Sequence, residues 1–208
     1  MHIPVIDLAQ AREPGAERSA EVAVQLRAAA IGSGFFYLRN HGIAQQQLDR
    51  QFELARQLLE EVPLTTRQQL AMHHSPTMRG YELLGAQSLD LAARPDLKES
   101  FYCGMAYPDD HPYVLAGYQT YGGNQWPPEV PEAPALCEAY IQSVLALARR
   151  VMQLLALSLG LPEDYFDATS ASPMLTLRMI RYPPQPADAD ARTYGACLLY
   201  TSDAADDK

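Results

Sequence analysis

The sequence has 208 residues, 48% of them hydrophobic, and a formal net charge of −9 at pH 7. This length and composition suit one globular domain, or one domain with a small second lobe, and the acidic balance argues against a nucleic-acid-binding protein. No run of the sequence approaches the length of a membrane span, and its start lacks a signal-peptide pattern, so we expect a cytoplasmic protein with no membrane partner.

Hydrophobic periodicity predicts short strands and helices in the first seventy residues. Strands are predicted at 3–8 and 35–38, and the second is a continuous aromatic run typical of an interior strand. Helices are predicted over 17–31 and 44–62, and a shorter third helix begins near Pro63. The stripe that the second helix should bury consists of Leu48, Phe52, Ala55, Leu59 and Val62.

The segment from residue 73 to 131 loses regular periodicity. Its many aromatic side chains favour an ordered loop, because disordered segments are poor in aromatics. One strand is predicted within it, at 98–103. Residues 133–159 then form the longest predicted helix, a scaffold helix buried along one sheet. Its inward stripe would be Leu136, Tyr140, Val144, Leu147, Val151 and Leu154.

A strand with period-two alternation is predicted from Leu175 onward. Apolar and polar residues alternate up to Met179, as in a half-buried strand, and two prolines end it after Tyr182. Arg178 and Tyr182 are four residues apart, so alternation places them on the same face.

The last twelve residues, 197–208, do not continue this pattern. They read CLLYTSDAADDK, where another strand would be expected. The stretch resembles the translation of a sequencing-library adapter, so we expect a gene-fragment artefact, with a genuine disordered tail as the alternative.

Seven stretches occur in a fixed order along the chain. They are IPVIDL near the start, GFFYLRNHGI at 34–43, RGY at 79–81, RPDLKESF at 94–101, NQWP at 124–127, LGLPEDYF at 159–166 and LRMIRYPPQP at 177–186. Together they resemble the isopenicillin N synthase-like group of iron(II)- and 2-oxoglutarate-dependent oxygenases.

The resemblance implies an α+β fold and three regions. Residues 1–130 would form an N-terminal lobe of helices and strands with the long aromatic loop. Residues 131–196 would supply the scaffold helix and the first strands of a double-stranded β-helix (jelly-roll) core that is truncated. Residues 197–208 would be the artefactual or disordered tail.

The resemblance also implies a reaction. Iron(II), 2-oxoglutarate and O2 would serve the hydroxylation, desaturation or ring closure of a small molecule. In such enzymes a His-x-Asp pair and a distant His hold the iron and leave positions open for the oxo acid and oxygen. An Arg-x-Ser further on binds the distal carboxylate of 2-oxoglutarate.

None of these ligand motifs is present in the chain. No histidine stands in a His-x-Asp or His-x-Glu pair, the adjacent His73 and His74 would point apart on a helix, and His41 is expected to shape a turn. We therefore assign no metal ligand and no catalytic residue. Neither cofactor is expected to bind well to this chain, which should be inactive as it stands.

Five residues are candidates for the wall of a substrate or cosubstrate pocket, namely Tyr182, Arg178, Arg79, Phe101 and Tyr81. The resemblance implies this role for Tyr182, at a family position that faces the substrate or 2-oxoglutarate, and for Arg79, at a position that contacts a substrate carboxylate in some relatives. The Tyr182 phenol could hydrogen-bond a carboxylate, and Arg178 or Arg79 could meet an anionic substrate. Each has a structural alternative. Tyr182 could pack on the sheet, Arg178 could form a surface ion pair, Arg79 could anchor the long loop, and the two remaining aromatics could lie in the core.

Three other readings of the family resemblance stay open. The chain could derive from a relative that forms ethylene from 2-oxoglutarate, from an oxidase that closes a β-lactam ring without it, or from a non-catalytic binding protein that kept the fold. The sequence leaves the substrate and the oligomeric state open.

Overall fold

The computed structural model describes residues 2–15, 17–86 and 97–184. The tail predicted at 197–208 lies outside these residues, as does the start of the RPDLKESF stretch. The described elements are, in order, β1 (Val5–Asp7), α1 (Ser19–Gly32), β2 (Tyr37–Arg39), α2 (Gln45–Arg56), α3 (Leu64–Gln69), β3 (Gly80–Glu82), β4 (Glu99–Gly104), α4 (Pro112–Leu115), α5 (Ala133–Ser158) and β5 (Thr176–Arg181). This mixture of helices and sheets is that of an α+β protein.

The chain divides into two compact units, and the first consists of residues 1–49 and 139–173. Its strands β1 and β2 pair in parallel, with Ile6 opposite Leu38. The pair and α1 enclose an apolar core formed by Ile6, Leu8, Ala11, Val22, Leu26, Ala29 and Leu154. The predicted strand at 3–8 and helix at 17–31 are thus confirmed, with shorter bounds for the strand.

The turn after β2 is held by side chains as well as by backbone geometry. Asn40 and Gly42 both take positive φ, at 54° and 89°. The His41 Nδ1 accepts a hydrogen bond from the Ile43 N–H at 3.2 Å, which confirms that His41 shapes this turn. The Asp7 carboxylate accepts from Asn40 Nδ2 at 2.8 Å, and this bond contributes most to lowering the pKa of Asp7.

The prediction of an interior strand at 35–38 is wrong. The strand begins two residues later, at Tyr37, and within the described residues it pairs with β1 alone. Phe35 is 66% exposed and Tyr37 is 61% exposed. A continuous apolar run carries no period, so the sequence could not show which side chains turn inward.

The two predicted helix stripes are confirmed only in part, since Leu59, Val62 and Leu154 are buried as predicted but most other members are not. In α2, Phe52 is 77% exposed, whereas Gln51 and Leu54 are buried. A π-helical turn at Gln57–Glu61 follows and shifts the phase of the helix. In α5 the residues buried at a spacing of four are Ala133, Cys137, Ile141 and Leu145. Because α5 is apolar on several sides, more than one stripe satisfies the helical spacing.

Helix α5 also corrects the expectation about membrane-span length. It has 26 residues and a window of mean hydropathy 1.2, so it is long and apolar enough to cross a bilayer by these criteria alone. Core helices of soluble proteins pass the same test. The helix carries a buried arginine, Arg150, whose Nη1 lies 2.6 Å from Glu163 Oε1.

The second unit, residues 50–138 and 174–208, contains an antiparallel sheet in the order β3-β4-β5. Tyr81, Phe101 and Met179 lie opposite one another across the three strands. Strands β4 and β5 confirm the predictions at 98–103 and from 175. Strand β3 and helix α4 were not predicted, because elements of three and four residues are too short to show a period.

Candidate functional site

The β3-β4-β5 sheet has one polar and one apolar face. Residues paired across antiparallel strands share a face, and faces alternate along each strand. The pairings of Glu82 with Ser100 and of Tyr102 with Arg178 therefore define a polar face. The opposite, apolar face carries Tyr81, Phe101, Cys103, Leu177 and Met179, and the ion pair of Glu99 with Arg181 lies at its end.

A network of charged and polar groups covers the polar face. Arg178 Nη2 donates to Glu82 Oε2 at 2.7 Å, and Arg178 Nε donates to Ser100 Oγ at 3.1 Å. The guanidinium carbon lies 4.9 Å from the centre of the Tyr102 ring, and the Tyr102 hydroxyl donates to Glu82 Oε2 at 3.2 Å. These contacts use the planar shape of arginine, which can bind a carboxylate and stack on an aromatic ring at once.

Burial and the network together change the ionisation of Tyr102. Burial, followed by the nearby Glu82 carboxylate, raises the pKa of Tyr102 to about 12. Tyr102 therefore remains a neutral hydrogen-bond donor in alkaline solution in which an exposed tyrosine would ionise. The Glu82 carboxylate offsets the charge of Arg178, so Arg178 forms an ion pair, which was its structural alternative. Its side chain is still 29% exposed.

Tyr182 follows the end of β5 and is 48% exposed. Strand alternation puts it on the same side as Arg178. Within the part of the chain that the structure describes, its hydroxyl has no hydrogen-bond partner. A phenol in this position can donate to or accept from a bound ligand, so its role in the pocket stays a prediction.

Arg79 is 1% exposed, and its guanidinium is buried at the end of the polar face, where Gly104 pairs with Thr176. Its two terminal nitrogens donate to the carbonyl oxygens of Cys103 and Thr120, both at 2.9 Å, and of Leu175, at 3.2 Å. Nη1 also donates to Thr176 Oγ1 at 3.1 Å. These contacts are those of an arginine that anchors the long loop to the sheet, the structural alternative stated for it.

Tyr81 and Phe101 take the core positions that were the structural alternative to a place in the pocket wall. Both are buried on the apolar face, with their ring centres 4.7 Å apart, and the Tyr81 hydroxyl donates to the Leu58 carbonyl at 3.1 Å. The sheet itself separates them from Arg178, so they do not line the same wall. The sequence could not show this, because the assignment of faces depends on which strands pair.

Three residues of the polar face were missed by the sequence analysis: Glu82, Ser100 and Tyr102. Glu82 and Ser100 are 7% and 0% exposed. The available signal was the spacing of two between Ser100 and Tyr102 in a predicted strand, which puts both on one face. Glu82 could not be placed without knowing that β3 pairs with β4.

The described residues do not fit an iron site. Among residues 2–15, 17–86 and 97–184, no group of three or more histidine, cysteine, aspartate or glutamate side chains could hold a metal ion. On the polar face, one carboxylate oxygen of Glu82 already accepts from both Arg178 and Tyr102. The described side chains can therefore bind and orient a ligand, but they do not supply iron ligands.

Comparisons with known proteins agree on one family. The family model described as "non-haem dioxygenase in morphine synthesis N-terminal" matches residues 3–129. The 2-oxoglutarate-Fe(II) type oxidoreductase hxnY of Emericella nidulans is 33% identical over 192 residues, which cover 91% of this chain and 55% of that protein. Isopenicillin N synthase of Streptomyces clavuligerus is 34% identical over 194 residues, 88% of this chain and 55% of that protein.

Solved structures show the same likeness. A 2OG-Fe(II) oxygenase family protein from Caulobacter crescentus superposes with a TM-score of 0.76 at 25% identity, over 91% of this chain and 59% of that one. A full-length Neurospora crassa protein in complex with alpha-KG superposes with a TM-score of 0.72 at 24% identity, over 89% and 56%. The chain thus spans little more than half the length of the relatives it matches.

Proposed function

Because the chain belongs to the isopenicillin N synthase-like family of iron(II)- and 2-oxoglutarate-dependent oxygenases, we propose that the whole protein oxidises a small molecule with O2 and 2-oxoglutarate. The main support for this reaction class is the family match over residues 3–129. Hydroxylation, desaturation and ring closure all belong to the proposal. The Neurospora crassa protein was also solved with thymine, which is consistent with a small-molecule substrate.

In this proposal the polar face of the β3-β4-β5 sheet is part of the pocket wall. Glu82 and Ser100 hold the Arg178 guanidinium in one orientation, and the Tyr102 ring packs against it. Tyr182 offers a phenol that has no partner in the described part of the chain, and it would hydrogen-bond a polar or carboxylate group of the ligand. Since no described residue set fits iron, these residues bind and orient, and no step of the oxygen chemistry is assigned to them.

The 208-residue chain itself is proposed to be inactive. Its five histidines include no His-x-Asp pair, and the described residues supply no metal-binding group. Iron(II) needs such a set to activate oxygen while leaving open positions for the oxo acid. A non-catalytic binding protein with the same fold is the competing outcome.

The test compares two proteins made from the source DNA. One is the 208-residue chain, and the other is whatever the genomic frame encodes when it is read past codon 196. Each is supplied with iron(II), 2-oxoglutarate and O2, and succinate is quantified. We expect succinate from the longer protein only. A longer frame that lacks an imidazole–carboxylate pair and forms no succinate would favour the binding protein, and succinate from the 208-residue chain would disprove its inactivity.

A further inference from the structure

A cationic groove lies in the first unit and includes no residue of the polar face. It has a volume of about 530 Å³ and is lined by residues of three chain segments, 8–14, 41–43 and 143–153. The charged or titratable side chains among them are Arg12, Glu13, His41, Arg149 and Arg150. We propose that this groove binds a small oxyanion, a phosphate or a carboxylate. The proposal is independent of the oxygenase function.

The three arginines of the groove differ in what they already bind. Arg150 is fully engaged, because its guanidinium donates to the Ala11 carbonyl at 2.6 Å, to Ser19 Oγ at 2.7 Å and to Glu163 Oε1 at 2.6 Å. Arg12 and Arg149 are exposed and have no hydrogen bond or ion pair within the described residues. Two guanidinium groups that face the same cavity are therefore available for a ligand.

The local backbone brings these groups together. Arg149 is positioned by the rigid α5 helix, next to the buried Arg150. The Arg12 side chain passes next to Gly42. A Cβ atom built on Gly42 would lie 3.7 Å from both Cδ and Nη1 of Arg12. Gly42 has φ of 89°, which glycine adopts readily and other residues do not. The Arg12 side chain therefore lies within van der Waals distance of a turn that depends on this glycine.

His41 adds an imidazole side chain to the groove. Its Nδ1 accepts the Ile43 N–H at 3.2 Å, so in the neutral ring Nε2 carries the proton. The groove then combines two free guanidinium groups with an imidazole N–H, and it has one opposing carboxylate, Glu13. No ion pair of 4 Å or less joins Glu13 to either arginine among the described residues.

The donor set identifies the ligand class. A guanidinium presents paired N–H groups that match the two oxygens of a carboxylate or phosphate, and such bonds are among the stronger hydrogen bonds in proteins. A local excess of positive charge in a chain of net charge −9 also concentrates small anions at this place. A neutral ligand would gain no attraction from this excess of positive charge.

The experiment is an NMR titration of the 208-residue chain with inorganic phosphate at constant ionic strength, following the Nε–H resonances of Arg12 and Arg149. We expect saturable shifts with a Kd of about 1 mM. Arg12→Gln and Arg149→Gln should each weaken binding about tenfold, since each removes a charge-assisted contact. Arg18→Gln removes the same charge from an exposed ion pair outside the groove and is the matched control.

Further arms separate specific binding from screening. Acetate in place of phosphate tests the carboxylate form of the ligand, and Glu13→Gln should tighten binding of both anions by removing a repulsive charge. Arg12 and Arg149 are exposed, so their variants should keep the melting temperature of the parent, which confirms that they fold. The proposal is overturned if neither anion gives saturable shifts, or if Arg18→Gln weakens binding as much as the groove variants do.

Discussion

Replacing Arg79 by methionine tests how the long loop is attached to the sheet. The substitution keeps an unbranched apolar stem and removes the guanidinium that donates to Cys103, Thr120, Leu175 and Thr176. Three of these four acceptors are backbone carbonyl oxygens. Because the side chain is 1% exposed, water cannot easily replace the lost donors.

The magnitude follows from the acceptors that lose their donor. An unpaired buried polar group costs about 1–3 kcal/mol, so three carbonyl oxygens give at most about 3–9 kcal/mol, and less where the contact is only part-buried, as it is for Thr120 and Leu175. The lower part of this range applies, because burial of the guanidinium is itself unfavourable and lowers the pKa of Arg79. Its Nε also has no hydrogen-bond partner among the described residues. We therefore expect Arg79→Met to reduce the free energy of unfolding by about 3–5 kcal/mol.

Urea unfolding measures this loss, and hydrogen exchange followed by mass spectrometry locates it. Protection should fall most in peptides from the segment 105–124, which Arg79 ties to β5. Arg181→Met is the matched control, since Arg181 forms partly exposed ion pairs with Glu60 and Glu99 that contribute about 0–1 kcal/mol each. The anchoring role is wrong if the free energy of unfolding of Arg79→Met lies within about 1 kcal/mol of that of the control and hydrogen exchange in 105–124 is unchanged.

Three further predictions concern side chains in both units. Glu82→Gln should lower the pKa of Tyr102 from about 12, but not to its ordinary value, because burial remains. Ultraviolet titration of the phenol measures this pKa, and an unchanged value would contradict the prediction. A hydrogen bond from the Arg150 guanidinium holds the pKa of Glu163 below 4.5. The folded state therefore gains stability from this carboxylate above pH 4.5 and loses it as the pH falls through the folded-state pKa. In Glu163→Gln, the free energy of unfolding should vary less over that pH range than in the parent. Gly104→Ala would press a methyl group against the Leu175 carbonyl oxygen and should lower the free energy of unfolding in urea by about 1–3 kcal/mol. Gly123→Ala, whose added Cβ would have no atom within 4 Å, should leave it unchanged.

The sequence predicted those features that depend on local spacing. The alternation from Leu175 to Met179 predicted β5, and the helix predicted at 133–159 matches α5 to within one residue at its end. The Asn40-His41-Gly42 turn was also confirmed, since its backbone preferences are local. In each case the side-chain period or turn chemistry is contained within a few residues.

The composition of the polar face could not be predicted in the same way. Glu82 and Arg178 are 96 positions apart, and they meet only because β3 and β5 both pair with β4. The same pairing sends Tyr81 and Phe101 to the opposite face. Contacts of this kind depend on strand order and register, which a three-residue strand such as β3 does not reveal by its own pattern.

Equilibrium dialysis of iron(II) against the 208-residue chain, without oxygen and with 2-oxoglutarate present, tests the central claim most directly. The claim is that the described residues form a pocket wall and not the metal centre. We expect bound iron to stay far below one ion per chain, with no dependence on 2-oxoglutarate. Binding of one iron per chain that 2-oxoglutarate strengthens would contradict the account.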